Sequence, residues 1–116
     1  MHKYQELQVW KKSMDLITSI YKLTEKLPQK EQFGLISQTN RCAVSIASNI
    51  AEGAGRNTNG EFNQFLGIAS GSLFELETQL LISVRVGYLK ESEIIPSIDL
   101  TKEIHKMLIG LKKKLL

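Results

Sequence analysis

The sequence predicts an all-α fold, an up-down-up-down antiparallel four-helix bundle, and three observations carry that prediction. Apolar residues recur at spacings of three and four through four separate segments, which is the period of an amphipathic helix. The segments are joined by short connections holding Pro28, Asn57 or Gly87, with no long linker between them. Composition agrees: 42% of the 116 residues are hydrophobic, 23% are charged and only two are proline, a globular balance that favours helix over strand. A chain of this length can bury one substantial core, whereas two would each be marginal, so residues 1–116 are expected to form one unit.

The first helix is expected between Leu7 and Leu27, where Leu7, Trp10, Met14, Ile17 and Tyr21 mark an apolar stripe and Pro28 marks the break. The second runs from about Lys30 to Gly55, with Phe33, Ile36, Ala43, Ile46, Ala47, Ile50 and Ala54 on its apolar face. Gly55 and Asn57 supply its stop. Thr58-Asn-Gly-Glu61 has capping-box spacing, in which hydroxyl and carboxylate each satisfy an orphan amide, so a third helix starts there. Its stripe of Phe62, Phe65, Leu66, Ala69, Leu73, Leu76, Leu80 and Val84 leads to Gly87, a residue suited to a left-handed cap. Ser92 or Pro96 opens a fourth helix that buries Ile98, Ile104, Met107, Leu108, Leu111 and Leu115, since proline is tolerated in a first turn.

Helices two and three can be set in register. A reversal at Asn57 and Thr58 places Ser48 near Gly67 and Val44 near Gly71. Each glycine inside a helix costs about 1 kcal/mol relative to alanine. Gly67 and Gly71 on one face therefore predict a close backbone approach to the row Ala43, Ala47 and Ala51. The same register sets Glu75 opposite Arg41 and predicts an ion pair there, while Glu52 and Arg56 stand at the i, i+4 spacing of an intrahelical pair.

The second helix also carries a continuous polar stripe of Gln38, Arg41, Ser45, Asn49, Glu52 and Arg56, faced by Glu61, Gln64, Ser72, Glu75 and Gln79. Partly buried polar groups must be paired, and such pairing fixes register. Arg41, Asn49, Glu52, Arg56, Gly67, Gly71 and Glu75 are thus expected to form a structural seam or subunit contact. Enzyme chemistry finds no support. His2 and His105 lack a partner at metal-ligand spacing, Gly53-Ala-Gly55 follows no strand and lacks the GxxxxGK[ST] order, and Cys42 beside Ala43 and Val44 has no activating base. No catalytic residue, metal site or cofactor is predicted. The lone cysteine excludes an intrachain disulfide and points to a reducing cytoplasm. Apolar runs never exceed three residues, as in Leu80-Leu81-Ile82, so neither a membrane-spanning helix nor a signal peptide is expected.

Charge is unevenly spread. The net charge is +3, yet residues 1–30 carry +3, residues 102–116 carry +4 and residues 31–101 carry −4. The basic ends hold Lys11, Lys12, Lys22 and Lys26 in the first helix, and Lys102, Lys106, Lys112, Lys113 and Lys114 in the fourth. In the simplest bundle those two helices pack side by side and their basic faces merge. Asp15 and Glu25 share the face of Lys11, Lys22 and Lys26, as on an ordinary solvated helix, and no aromatics interleave with the lysines.

One ordered set of residues goes further. Leu7-Gln-Val-Trp10, Ile20-Tyr21, Leu27-Pro28 with Glu31 and Gly34-Leu35, Ala43-Val-Ser-Ile46 through Asn49-Ile-Ala-Glu-Gly53, Arg56, Phe65-Leu66, Gly71-Ser72 and Glu75-Leu76 span nearly the whole chain. In them the sequence resembles the 23S ribosomal RNA intervening-sequence protein family, which includes the accessory variability proteins of diversity-generating retroelements. The resemblance implies a four-helix bundle assembled as a ring-like homopentamer. For intervening-sequence members it implies no defined biochemical activity. For retroelement members it implies adaptors that bind a reverse transcriptase and nucleic acid through a basic oligomer surface. Two positions depart from the family pattern: Asn40-Arg41 keeps only the second residue of an Arg pair, and Ala47 stands where proline is common.

The resulting expectation is a non-enzymatic protein that binds structured RNA or an RNA/DNA hybrid through the nine lysines named above. A pentamer would raise the net charge to about +15, enough for multivalent phosphate contact. The alternative is a protein-interaction scaffold or adaptor, for a reverse transcriptase or another protein, without intrinsic nucleic-acid affinity.

Overall fold

A computed structural model of the chain describes residues 2–116, and among them it places four long helices and no strand. These are α1 (Gln8–Thr24), α2 (Leu35–Ala54), α3 (Asn59–Arg85) and α4 (Glu91–Leu115), with 3₁₀ turns at Tyr4–Glu6 and Gln29–Glu31. Each helix packs on its neighbours in sequence and α4 closes against α1, so the four stand at the corners of a square in a body of 44 × 24 × 19 Å. Three side-chain bonds fix the antiparallel levels. Thr24 donates to Asn40 at 2.8 Å, the Ser45 and Ser72 hydroxyls meet at 3.0 Å, and those of Ser19 and Ser97 meet at 2.8 Å.

The helix ends follow local chemistry. Thr58 accepts the Glu61 amide at 3.1 Å as the N-cap of α3, and its hydroxyl donates to the Glu61 carboxylate, so the glutamate engages the hydroxyl where a full capping box would engage an amide. At the other end Gly87 has φ +86°, Tyr88 N–H bonds Ser83 C=O at 2.9 Å and Gly87 N–H bonds Val84 C=O at 3.0 Å, the paired bonds of a Schellman cap. The second helix begins five residues later than its apolar pattern suggests. Gln29–Glu31 and Gly34 interrupt it, the Glu31 carboxylate caps Leu35 N–H at 3.1 Å, and Phe33 is 91% exposed instead of packing inside. The fourth helix begins at Glu91, which leaves Pro96 as its sixth residue, past the first turn. Its missing N–H deprives the Ser92 carbonyl of its usual donor four residues on, and both residues are exposed to water.

One core runs through all four helices, and its largest fully enclosed side chains include Leu16, Ile20, Ile46, Ile50, Phe62, Leu66, Leu73, Leu76, Leu80, Ile94, Ile104 and Leu108. The α3 stripe is buried as its spacing predicts, apart from half-buried Phe65 and Val84. The α1 stripe is not. Val9, Leu16, Ile20, Leu23 and Leu27 face the core, whereas Leu7, Trp10 and Ile17 are half-buried and Met14 and Tyr21 are exposed. This helix is apolar on two adjacent stripes with the same period, and periodicity cannot say which one a neighbouring helix covers. In α4 Ile104 and Leu108 are buried as expected, joined by Ile94, Ser97 and Thr101, while Ile98, Met107, Leu111 and Leu115 lie at the edge.

Candidate nucleic-acid interface and the polar seam

The α1/α4 side of the bundle is the polar side. Two ion pairs cross it: Lys12 to Glu103 at 3.2 Å and Lys26 to Glu93 at 2.7 Å, the latter carboxylate also accepting the Lys90 amide at 2.9 Å. The Lys26 ammonium, then the amide bond, hold the Glu93 carboxyl below its ordinary range. Exposed Lys11 and Lys22 from α1, and Lys102, Lys106 and Lys113 from α4, have no carboxylate within 4 Å among the described residues. Of the nine lysines of the first and fourth helices, Lys12 and Lys26 are engaged between the two helices by these ion pairs.

The three C-terminal lysines do not form one patch. Lys112 reaches across α3, with its ammonium 3.8 Å from where a Cβ on Gly67 would lie. Lys114 turns the other way and lines a shallow groove with Glu6, Leu7, Gln8 and Met107, leaving Lys113 outermost. All three also sit in the last turn of α4, where cations complement the helix dipole whatever else they do.

The seam between α2 and α3 forms, but with different contacts. Around Ser72 the Cys42 thiol donates to the carbonyl at 3.0 Å and Ser45 meets the hydroxyl, while the Asn49 amide donates to the Ser45 carbonyl at 2.8 Å and hydroxyl at 2.9 Å. Burial, then the nearby Glu75 carboxylate, push the Cys42 thiol up to about 12, which leaves it inert. Arg41 and Glu75 line the same small crevice with Gln38 and Ser45, yet no Arg41–Glu75 ion pair forms within 4 Å. Both are exposed, and water competes with a pair on that surface. The Glu52–Arg56 pair forms at 3.6 Å, and Arg56 also lies 4.0 Å from Glu61 and 4.8 Å above the Phe65 ring.

Gly67 and Gly71 do not make the tight crossing. Gly71 has nothing within 4 Å of a built Cβ and Gly67 has only Lys112, so both face outward. The register is right to within a turn, as the bonds of Ser72 to Cys42 and Ser45 show, but α3 presents Ser72, not Gly71, to α2. The close approach lies at Gly53, where a Cβ would stand 2.7 Å from Phe65 Cβ and 2.9 Å from the Phe62 ring. Its sequence signal was the Gly53-Ala-Gly55 group, which spacing alone could not separate from a loop. Tyr4 packs edge-on against Trp10 at 5.1 Å, and His105 packs against Phe74 at 4.7 Å. Among the described residues no group of three or more His, Cys, Asp or Glu could hold a metal ion.

A buried-serine seam and a lysine wall on a four-helix frame invite comparison with known proteins. The profile of the 23S rRNA-intervening sequence protein family matches residues 5–110. The chain belongs to this family. A solved structure of a protein with unknown function from the S23 ribosomal protein family, from Bacteroides thetaiotaomicron VPI-5482, superposes with a TM-score of 0.83 at 27% identity. That match covers 90% of this chain and 98% of the other. No curated protein matches the chain. The Asn49 to Gly53 stretch lies at the seam: Asn49 bonds Ser45, and Gly53 admits Phe62 and Phe65. Asn40 accepts from Thr24 and ties α1 to α2.

Proposed function

We propose that this member of the 23S rRNA-intervening sequence protein family is a non-enzymatic binder of structured RNA or an RNA/DNA hybrid, acting through the α1/α4 lysine wall of a ring-like homopentamer. The observation that carries the reading is that Lys11 and Lys22 on α1 and Lys102, Lys106 and Lys113 on α4 are all exposed and, among the described residues, lie outside the ion pairs that hold Lys12 and Lys26. Phosphate contact by such a wall needs no base-reading motif and grows with the number of copies. Asp15, Glu25 and Asp99 on the same helices keep the affinity of one copy low, which makes assembly the source of strength. Fluorescence anisotropy of a labelled hairpin RNA, a matched duplex DNA and an RNA/DNA hybrid tests this at about 50 and 200 mM salt, where multivalent contact predicts a loss of orders of magnitude between the two. No binding at the lower salt would refute it.

A second reading is supported by Phe33, which stands 91% exposed on the α1–α2 connection. An aromatic exposed to this extent suits insertion into a protein partner, such as a reverse transcriptase, in a scaffold without intrinsic nucleic-acid affinity. Loss of partner capture in a Phe33→Ser variant that keeps its fold and its RNA binding would favour this role.

A further inference from the structure

The crevice between α2 and α3 holds more hydrogen-bonding capacity than its own residues use. Its volume is about 310 Å³ and it is lined by Gln38, Arg41, Cys42, Ser45, Ser72 and Glu75. Arg41 stands on the α2 wall and Glu75 on the α3 wall, and among the described residues neither has an oppositely charged group within 4 Å. At the floor the Cys42 thiol is spent on the Ser72 carbonyl. The two serine hydroxyls carry two protons, and the bond that joins them uses one. Since the Asn49 amide donates to Ser45, one seryl O–H is left to donate into the crevice.

The polar row runs on past the floor. Phe65, Ser72 and Gln79 recur every seven residues, two turns of helix, and the first two touch α2 at Gly53 and at Cys42 and Ser45. Gln79 therefore continues the α2-facing line of α3, one turn beyond Glu75 and level with Gln38. It is 7% exposed, and its Oε1 accepts no hydrogen bond from the described residues. At the same height on α2 stands Thr39, 1% exposed, whose Oγ1 also has no partner. Buried polar atoms left this way are uncommon and call for an explanation.

The open positions differ in sign. Arg41 and the spare seryl O–H need an acceptor bearing negative charge, whereas Glu75 and Gln79 Oε1 need N–H donors. A simple anion on Arg41 faces Glu75, and a simple cation on Glu75 faces Arg41. We propose that the α2/α3 crevice binds a small zwitterion, a short-chain amino acid whose carboxylate lies on Arg41 and the seryl O–H and whose ammonium lies between Glu75 and Gln79. Arg41 is level with Glu75 and Gln79 is one turn lower, about 5.4 Å, so one to three carbons between the ligand's charged groups match the site. The volume is at the low end of the range for ligand pockets, about 300–1,000 Å³, which suits a ligand of this size. A purine base also carries donors and acceptors, but it needs a stacking surface, and no aromatic side chain lines the crevice. The site lies across the bundle from the α1/α4 lysines and does not depend on the nucleic-acid reading.

The test is a titration of the whole chain, labelled with nitrogen-15, by glycine, β-alanine and γ-aminobutyrate, read from its amide spectrum. N-acetylglycine lacks the ammonium and glycinamide lacks the carboxylate, so they serve as one-sided controls. Saturable shifts are expected at Ser45, Ser72, Glu75 and the Gln38 and Gln79 side-chain amides, with each control binding at least about tenfold more weakly. Arg41→Gln and Glu75→Gln alter exposed side chains and are expected to leave the fold unchanged by circular dichroism while weakening binding by a similar factor. Shifts that never saturate mean that the crevice holds water only, and overturn the proposal. Controls as effective as glycine, either variant binding like wild type, or guanosine shifting these amides where the amino acids do not would overturn it too. So would an effect of the two variants on subunit mass by light scattering with none on amino-acid binding, since the charges then serve a contact between copies.

Discussion

Alanine at Gly53 and alanine at Gly71 should shift stability in opposite directions, although sequence alone gives both as glycines within a helix. At Gly53 the added methyl would stand 2.7 Å from Phe65 Cβ, 2.9 Å from Phe62 Cδ1 and 3.3 Å from the Phe62 carbonyl oxygen. The first of these is a Cβ and the last is backbone, so neither can swing aside as a long side chain would, and α2 and α3 must separate locally. Overpacking of this kind costs about 1–3 kcal/mol, and the helix-propensity gain of up to about 1 kcal/mol is reduced here because Gly53 lies next to the last residue of α2. At Gly71 nothing lies within 4 Å, so the propensity gain stands alone at about 1 kcal/mol. For a chain of this size the expected shifts are a fall of about 5–10 °C for Gly53→Ala and a rise of about 3–5 °C for Gly71→Ala. Thermal unfolding followed by circular dichroism reads both. A Gly53→Ala protein as stable as its parent, or a Gly71→Ala protein that loses stability, would refute the helix 2–3 geometry.

Cys42 should resist alkylation by iodoacetamide at pH 8 in the folded protein and react fully in urea, because its thiol is buried, donates to Ser72 and titrates only near 12; mass spectrometry checks this, and rapid native labelling would contradict it. Glu31 accepts from Leu35 N–H and from the Tyr88 hydroxyl at 2.9 Å, and those bonds hold its carboxyl below the ordinary range. Since its folded pKa lies below the unfolded one, its contribution is complete above the unfolded value and is lost as pH falls through the folded value. Glu31→Gln should therefore flatten the acid limb of urea stability against pH, and an unchanged limb would dismiss the role. Replacing Lys102, Lys106 and Lys113 by Gln should leave unfolding unchanged and lower RNA affinity and its salt slope for every sequence alike; the same change at the engaged Lys12 and Lys26 should do less. Equal effects would move the contact surface.

Much of the secondary structure was legible because it depends on near neighbours. Thr58 with Glu61, Gly87 at φ +86°, and the α3 stripe from Phe62 to Leu80 each follow from contacts within a few residues. The late start of α2 was less so. Phe33 and Ile36 keep helical spacing, and only the Glu31 carboxylate at Leu35 N–H and the interruption at Gly34 show where the helix begins.

By itself the sequence determined four amphipathic segments, their order and turns, the basic ends around an acidic middle, and the ordered residues that mark the family. Rotation of each helix about its own axis was decided by tertiary packing. A turn of one residue exchanges Gly71 for Ser72 against α2, and a neighbouring stripe of α1 exchanges Leu16 and Ile20 for Met14 and Tyr21, with no change in period. The stripe that is buried is the one whose volumes fit the facing helices, as Gly53 does beneath Phe62 and Phe65, and that fit depends on residues distant in sequence. The same rotation left Ile68, Phe74 and Leu81 outside.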